Sequence, residues 1–241
     1  MAIDTVKVPP EMEPLFIRAQ EYVSKYFAKR VEDPTKGEIS ISGERYILVR
    51  AASMSVEFLD FIQSIYPGLE KSESEKAAAS ILFDIAHAIG KADAAAFHKA
   101  TNVTDPIAKL STGPIHFAYT GWAYVDIFPE SKPSPDENYY LIYDHPQSFE
   151  ADSWIKKNAE LAKAQGKEKI FTNFPVCFMN AGYSSGWCEE SFGVPLTAKE
   201  ISCRAMGDPY CRFIMAHPNK IDNYIASYKE KHPELFKRES K

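Results

Sequence analysis

The stretch "EISCRAMGDPYCRFIMAHP", Glu200 to Pro218, carries two of the chain's four cysteines, Cys203 and Cys211, on either side of Met206-Gly207-Asp208-Pro209. With the residues before it, "PLTAKEISCRAMGDPYCRFIMA" reads as two strands about a turn centred on Gly207. Residues 203 and 211 are symmetric about that turn. Their side chains then lie opposite each other on one face, with Cβ atoms about 5 Å apart. Two thiolates at that spacing can share a tetrahedral zinc, whose Zn–S bonds are about 2.3 Å. A disulfide and a pair of buried apolar thiols are the competing readings.

The segment just upstream supplies further candidates. Pro175 suits the start of a helix through "VCFMNAGYSSGWCEESFG". Cys177, at its beginning, is placed to give a third thiolate. On one continuous helix Cys188 lies about 16 Å further along the axis, at about 1.5 Å per residue. No single ion spans that distance, so Cys188 is excluded. Glu200 precedes Cys203 by three residues, and strict strand alternation points it to the opposite face. A bulge or an irregular strand start would bring it round. Gly182 and Gly186, four apart, share one helical face where another backbone can approach closely.

Working outward, "PEMEPLFIRAQEYVSKYFAKR" sets Leu15, Ala19, Tyr22, Val23, Tyr26 and Phe27 at helical spacing. "GEISISGERYILVR" alternates around Ser42-Gly43 and reads as a β-hairpin. Met54 to Ala100 is mostly helical, and its alanine-rich part is read with interior breaks. "GPIHFAYTGWAYVDIF" and "NYYLIYD" are aromatic and β-branched, which suits strands. The proline-rich "PESKPSPDEN" between them is a surface loop. "SFEADSWIKKNAELAKAQGK" is an amphipathic helix ending near Gly166, and "PNKIDNYIASYKEKH" is a charged one. The expected fold class is α+β. A helical and hairpin N-terminal part (residues 1–50) packs on a domain with an antiparallel sheet and helices (51–218), followed by a C-terminal linker helix (219–241).

Composition excludes several functions. Of 241 residues, 45% are hydrophobic and 25% charged, ordinary for a globular protein. The formal net charge of −5 advertises no nucleic-acid or anionic-membrane surface. No apolar run approaches the roughly 18 to 20 residues of a membrane span, and "MAIDTVKVPPEMEPLF" lacks the features of a signal peptide. A cytoplasmic setting is expected, where stable disulfides are uncommon. That weighs against a Cys203–Cys211 disulfide. His116 within an aromatic segment reads as a core histidine, and His87, His98, His145, His217 and His232 show no metal spacing. Phe117, Tyr119, Trp122 and Tyr124 read as sheet core.

The run from Phe174 to Pro218, with its Gly182-Tyr183-Ser184-Ser185-Gly186, resembles the 4-vinyl reductase domain of aromatic-sensing input modules, whose helix carries "GYASG". These modules occur in phenol-responsive, sigma-54-dependent regulators and in some sensor histidine kinases. "YDHPQSFEADSWI" is similar to the family's "W-H-x-S-F-E-A" segment, and "AHAIGKADAAAF" to its early "GYxxGxxDA" helix. The resemblance implies one structural zinc held by Cys177, Glu200, Cys203 and Cys211, with a buried aromatic pocket beside it. It implies His116 as a ligand contact, through "GPIHFAYTG". Phe117, Tyr143, Tyr183 and Ala198 complete the implied ligand set. Ala198 stands where the family has a tyrosine, which points to a ligand larger than phenol or to one without its hydrogen bond at that end. A homodimer through the N-terminal part is implied as well.

The leading expectation is therefore a zinc-containing sensor of a small aromatic or hydrophobic molecule, either free-standing or coupled to an output partner. The alternative is a reductase or accessory enzyme acting on a vinyl or aromatic substrate. Such an enzyme would need a nicotinamide or flavin site, and no G-x-G-x-x-G follows a strand. A scaffold or dimerisation module without ligand is the third reading.

Overall fold

The computed structural model describes residues 3–68 and 70–236. Its elements follow in the order β1 (Val6–Lys7), α1 (Glu13–Phe27), β2 (Arg30–Asp33), β3 (Glu38–Ile41), β4 (Glu44–Tyr46), α2 (Val56–Ile65), α3 (Lys71–Thr101) and α4 (Pro106–Tyr119). Then come β5 (Ala123–Ile127), β6 (Tyr140–Ser148), α5 (Phe149–Ala164), α6 (Phe178–Phe192), β7 (Thr197–Ser202), β8 (Cys211–Ala216) and α7 (Ile221–Lys231). The molecule is α+β, as expected.

The main sheet has the order β1-β5-β6-β8-β7, antiparallel except for the short parallel pair β1–β5. Strand alternation divides its residues between two faces. Ile142, Ile214 and Ala216 point to one side, where Ile221, Tyr224, Ile225 and Tyr228 of α7 cover them. Leu141, Tyr143, Phe213 and Met215 point to the other, into the principal core beneath α4 and α6. A second sheet, β2-β3-β4, lies in the N-terminal part. Its β3–β4 turn uses Ser42 and Gly43, both at positive φ (52° and 91°), the conformation that a two-residue hairpin requires.

Helices α3 and α6 cross at backbone contact. A Cβ on Gly182 would sit 2.2 Å from the Phe83 carbonyl oxygen, and one on Gly186 2.1 Å from that of His87. Gly90 of α3 answers from the other side, where a Cβ would sit 2.2 Å from the Tyr183 carbonyl oxygen. The shared face expected of Gly182 and Gly186 is thus in use. α3 itself runs unbroken, its glycine serving contact and not interruption. It ends at Asn102, which adopts the left-handed conformation (φ 55°) and closes the helix.

Two sequence readings are corrected. "GPIHFAY" is not strand but the second half of α4, so His116 is helical. The helix begins at Asp105, whose side chain accepts the Ala108 N–H at 2.8 Å, with Pro106 in the first turn. Gly113-Pro114 and the aromatics imitate a turn and a strand. Gly113 is there because the Trp187 indole lies 2.6 Å from where its Cβ would be. β2 is an addition to the expected elements, since Val31 is its one apolar residue, exposed, and gives no hydrophobic alternation. The apolar face of α1 is used within the chain, where Phe16, Ala19, Val23 and Tyr26 are buried.

A candidate metal centre beside an apolar cavity

The thiol of Cys177 comes from the residue that caps α6, Glu200 from β7, Cys203 from just past the end of β7, and Cys211 from the first position of β8. One ligand atom from each lies within 4.8 Å of all the others. The Cys177–Cys211 sulfur separation is 3.7 Å. For bonds of about 2.3 Å to a tetrahedral zinc, the sulfur–sulfur edge is about 3.8 Å, so the spacing fits such an ion.

Glu200 reaches this side because the sheet is irregular where the alternation had to fail. It pairs with Phe213 and Ser202 with Arg212, so two steps along β7 match one along β8. Ile201 is the extra residue of a bulge, which turns Glu200 and Cys203 to a common face. Glu200 Oε2 accepts the Cys177 N–H at 2.9 Å, while Oε1 is buried with no partner. An acceptor left vacant and aimed into a nest of thiols is what a cation would satisfy.

The surroundings hold the donors in place. Cys203 N–H donates to Asp208 (2.8 Å), Arg204 N–H to the Cys211 sulfur (3.4 Å), and Ser148 Oγ lies 3.2 Å from the Cys177 sulfur. Hydrogen bonds from Cys177 and Cys211 pull the Cys203 thiol down to about 3. Burial pushes Cys177 up, and donation to Cys203 together with burial pushes Cys211 up. Burial also raises Glu200 far above the usual carboxylate range. A dication would draw off the protons that the thiols and the carboxyl retain. These residues could bind a metal. Cys188, excluded from the set by helix length, is buried elsewhere, beside Tyr139.

An apolar cavity of about 30 Å³ lies between α4, α6 and the inner face of the sheet. Phe117, Tyr143 and Tyr183 line it with Leu141, Trp187 and Met215. Ala198 is not in the wall, but it pairs across the sheet with Met215, which is. His116 is not in the wall either. Its Nδ1 lies 3.0 Å from the Tyr183 hydroxyl, which donates to Asp93 at 2.9 Å. With the phenolic proton committed to Asp93, the imidazole N–H donates to the tyrosine oxygen. Burial holds His116 down at about 3 and raises Asp93 to about 6, so at neutral pH the ring is neutral and the carboxylate charged. The Asp93–Tyr183–His116 chain escaped sequence reasoning. Its members come from three helices, and no local spacing announces them.

Residues 163–216, which include all four donors, match the model of the 4-vinyl reductase domain family. The resemblance read from the sequence is therefore shown over this part of the chain. Most of the chain is similar to a solved structure, the crystal structure of the phenol-responsive sensory domain of the transcription activator PoxR with phenol. The two are 17% identical with a TM-score of 0.66, over 91% of this chain and 98% of that one. At that identity the likeness shows a common fold. Among curated proteins, none matches. No helix among the described residues is long and apolar enough to cross a membrane.

Proposed function

We propose that the chain is a zinc-containing sensory module that binds a small aromatic molecule in the cavity beside its metal centre and passes that state to a signalling or transcriptional output. The observation that carries this reading is the juxtaposition itself: Tyr143 of the cavity wall pairs with Phe213, two residues from Cys211 of the donor set. The 4-vinyl reductase domain match and the fold shared with a phenol-responsive sensory domain support it. Zinc is the ion that three thiols and one carboxylate favour, and with four protein ligands it has a structural role and no open position for catalysis. Four unpaired cysteines suit a reducing, cytoplasmic setting.

Phe117, Tyr143 and Tyr183 supply the walls, Ala198 leaves room behind Met215, and His116 acts through Tyr183. The cavity is much smaller than the roughly 150 Å³ of a cavity known to take up benzene. Ligand entry therefore moves side chains, and a binding event that must rearrange the core is one that can be transmitted. Calorimetric titration with phenols, alkylbenzenes and bicyclic aromatics tests the reading. At least one is expected to bind more tightly than millimolar, and the purified protein should carry about one zinc per chain. A panel with no binding below millimolar overturns it.

A further inference from the structure

We propose that Ser148, where β6 gives way to α5, donates a hydrogen bond to the Cys177 thiolate and so sets how tightly the centre holds its ion; the inference rests on the metal reading of the four donors. Ser148 is a positioning residue and lies outside the donor set. Three thiolates and a carboxylate around one dication leave excess negative charge in a buried place, where none of the three cysteines is more than 1% exposed. Hydrogen bonds to the sulfurs spread that charge. The Cys211 sulfur receives the Arg204 N–H at 3.4 Å, and that of Cys203 a backbone N–H from Val176. Cys177 has a hydroxyl instead, Ser148 Oγ at 3.2 Å.

The direction of that contact follows from the lone pairs. A hydroxyl oxygen has two acceptor positions and one proton. Ser148 Oγ accepts the Ala151 N–H at 3.3 Å and the Asn180 Nδ2–H at 2.7 Å. Both acceptor positions are filled, and the proton is left for the Cys177 sulfur. The sulfur requires the same direction, because a thiolate on a metal has no proton to give. Water does not compete, with Ser148 1% and Asn180 0% exposed. Asn180 is itself fixed, since its N–H and that of Met179 each reach the buried Glu150 carboxyl at 2.9 Å. Glu150 thus pins the first turn of α6, Asn180 reaches back from that turn to Ser148, and Ser148 passes the orientation on to Cys177. One hydroxyl joins the start of α5, the first turn of α6 and the metal-binding thiol. Of the three sulfur contacts it alone is made by a side chain, so it is the one that a substitution can remove.

Competition of the full chain against a zinc chelator tests this on wild type, Ser148→Ala and Ser148→Thr, together with absorption spectra of the same proteins loaded with cobalt(II). Ser148→Ala should hold zinc about 10- to 100-fold less tightly. Its sulfur-to-cobalt charge-transfer band should move to longer wavelength, because a sulfur relieved of a hydrogen bond gives up electron density at lower energy. Ser148→Thr, which keeps the hydroxyl, should recover the wild-type affinity and band. The alanine also removes the cap of α5, which lowers the melting temperature but leaves the band in place, so the band separates the two roles. An unshifted band in Ser148→Ala, or a zinc affinity equal to that of wild type, overturns the inference. Should that variant fail to fold, nuclear magnetic resonance on wild type loaded with cadmium-113 decides. The Ser148 hydroxyl proton should then show scalar coupling to the metal through the Cys177 sulfur, and its absence overturns the inference. If wild type takes up neither zinc nor cobalt, the metal reading and this inference fall together. If it takes up both, the metal reading stands whatever the outcome at Ser148.

Discussion

Cys203 and Cys188 are both buried thiols, and only their surroundings distinguish them. Cys203 accepts from two other thiols and has Glu200 beside it, whereas Cys188 has Tyr139. A structural zinc contributes about 10 to 16 kcal/mol of apparent binding free energy in small zinc modules, comparable to the whole stability of a domain at about 5 to 15 kcal/mol. Cys203→Ser is therefore expected to lose zinc by elemental analysis and to unfold at ordinary temperatures, while Cys188→Ser keeps its zinc. A Cys203→Ser protein that melts like wild type would remove the metal from the account. Asp93 offers a second test at this scale. Burial raises its folded pKa to about 6 from the usual 3.8, against the opposing hydrogen bond from Tyr183. Below pH 4 the carboxyl is protonated folded or unfolded. Between pH 4 and 6 only the folded state keeps the proton, so its contribution to stability falls as pH rises through 6. The stability of Asp93→Asn relative to wild type should thus increase from pH 4 to 6 and then level off. Thermal melts across that range check it, and a gap that does not change with pH contradicts the assignment.

Elements set the next scale, and the α3–α6 crossing governs it. On an exposed helix, replacing glycine by alanine gains about 1 kcal/mol of propensity. At Gly186 the new Cβ would meet the His87 carbonyl at 2.1 Å, a backbone atom that no rotamer change can clear. The helices must separate, and overpacking of this kind costs about 1 to 3 kcal/mol, sometimes more. Packing wins, so Gly186→Ala should lower the denaturant midpoint; a rise would mean that the two backbones are not in contact. This contact was legible in the sequence, because two glycines four apart mark a helix face by themselves. The β3–β4 turn, α5 and the β7–β8 pair were legible for the same reason: turn residues, caps and periodicity are local. Ser148 caps α5 by accepting the Ala151 N–H, as Ser ahead of an amphipathic run suggests. What could not be read was set by distant partners. The strand-like appearance of α4 arose from Gly113, which is needed for Trp187. The pairing of β1 with β5 joins residues more than a hundred positions apart. The carboxylate donor could be named only on condition of a bulge, and Ile201 supplies it.

At the scale of the whole molecule, the apolar surface left over is as informative as the core. Ile47, Leu48 and Val49 follow β4 with 76%, 75% and 59% of their surface exposed. Ile81, Ile85 and Ile89 form an exposed stripe on α3 at the i, i+4, i+8 spacing of one helix face, and Phe61 and Ile65 of α2 are exposed as well. Isolated surface hydrophobics need no explanation, but three consecutive ones beside a hairpin indicate a partner. The apolar face of α1 gives no reason for a homodimer, because it is buried in the chain; the segment after β4 does. We propose that this segment, with the hairpin before it, packs against a second copy. An isologous pair presents the same patch twice, so a single polar change is felt on both sides of the axis. Analytical ultracentrifugation at micromolar concentration is expected to give one species at twice the chain mass of 27.2 kDa. Leu48→Asp should shift that species to the monomer, since a charge at a desolvated interface without a partner is strongly unfavourable. Zinc content should be unaffected, because the metal centre draws its ligands from residues 177 to 211 alone. A wild-type chain that sediments as a single 27.2 kDa species, or a Leu48→Asp variant that remains dimeric, contradicts the assignment of this face.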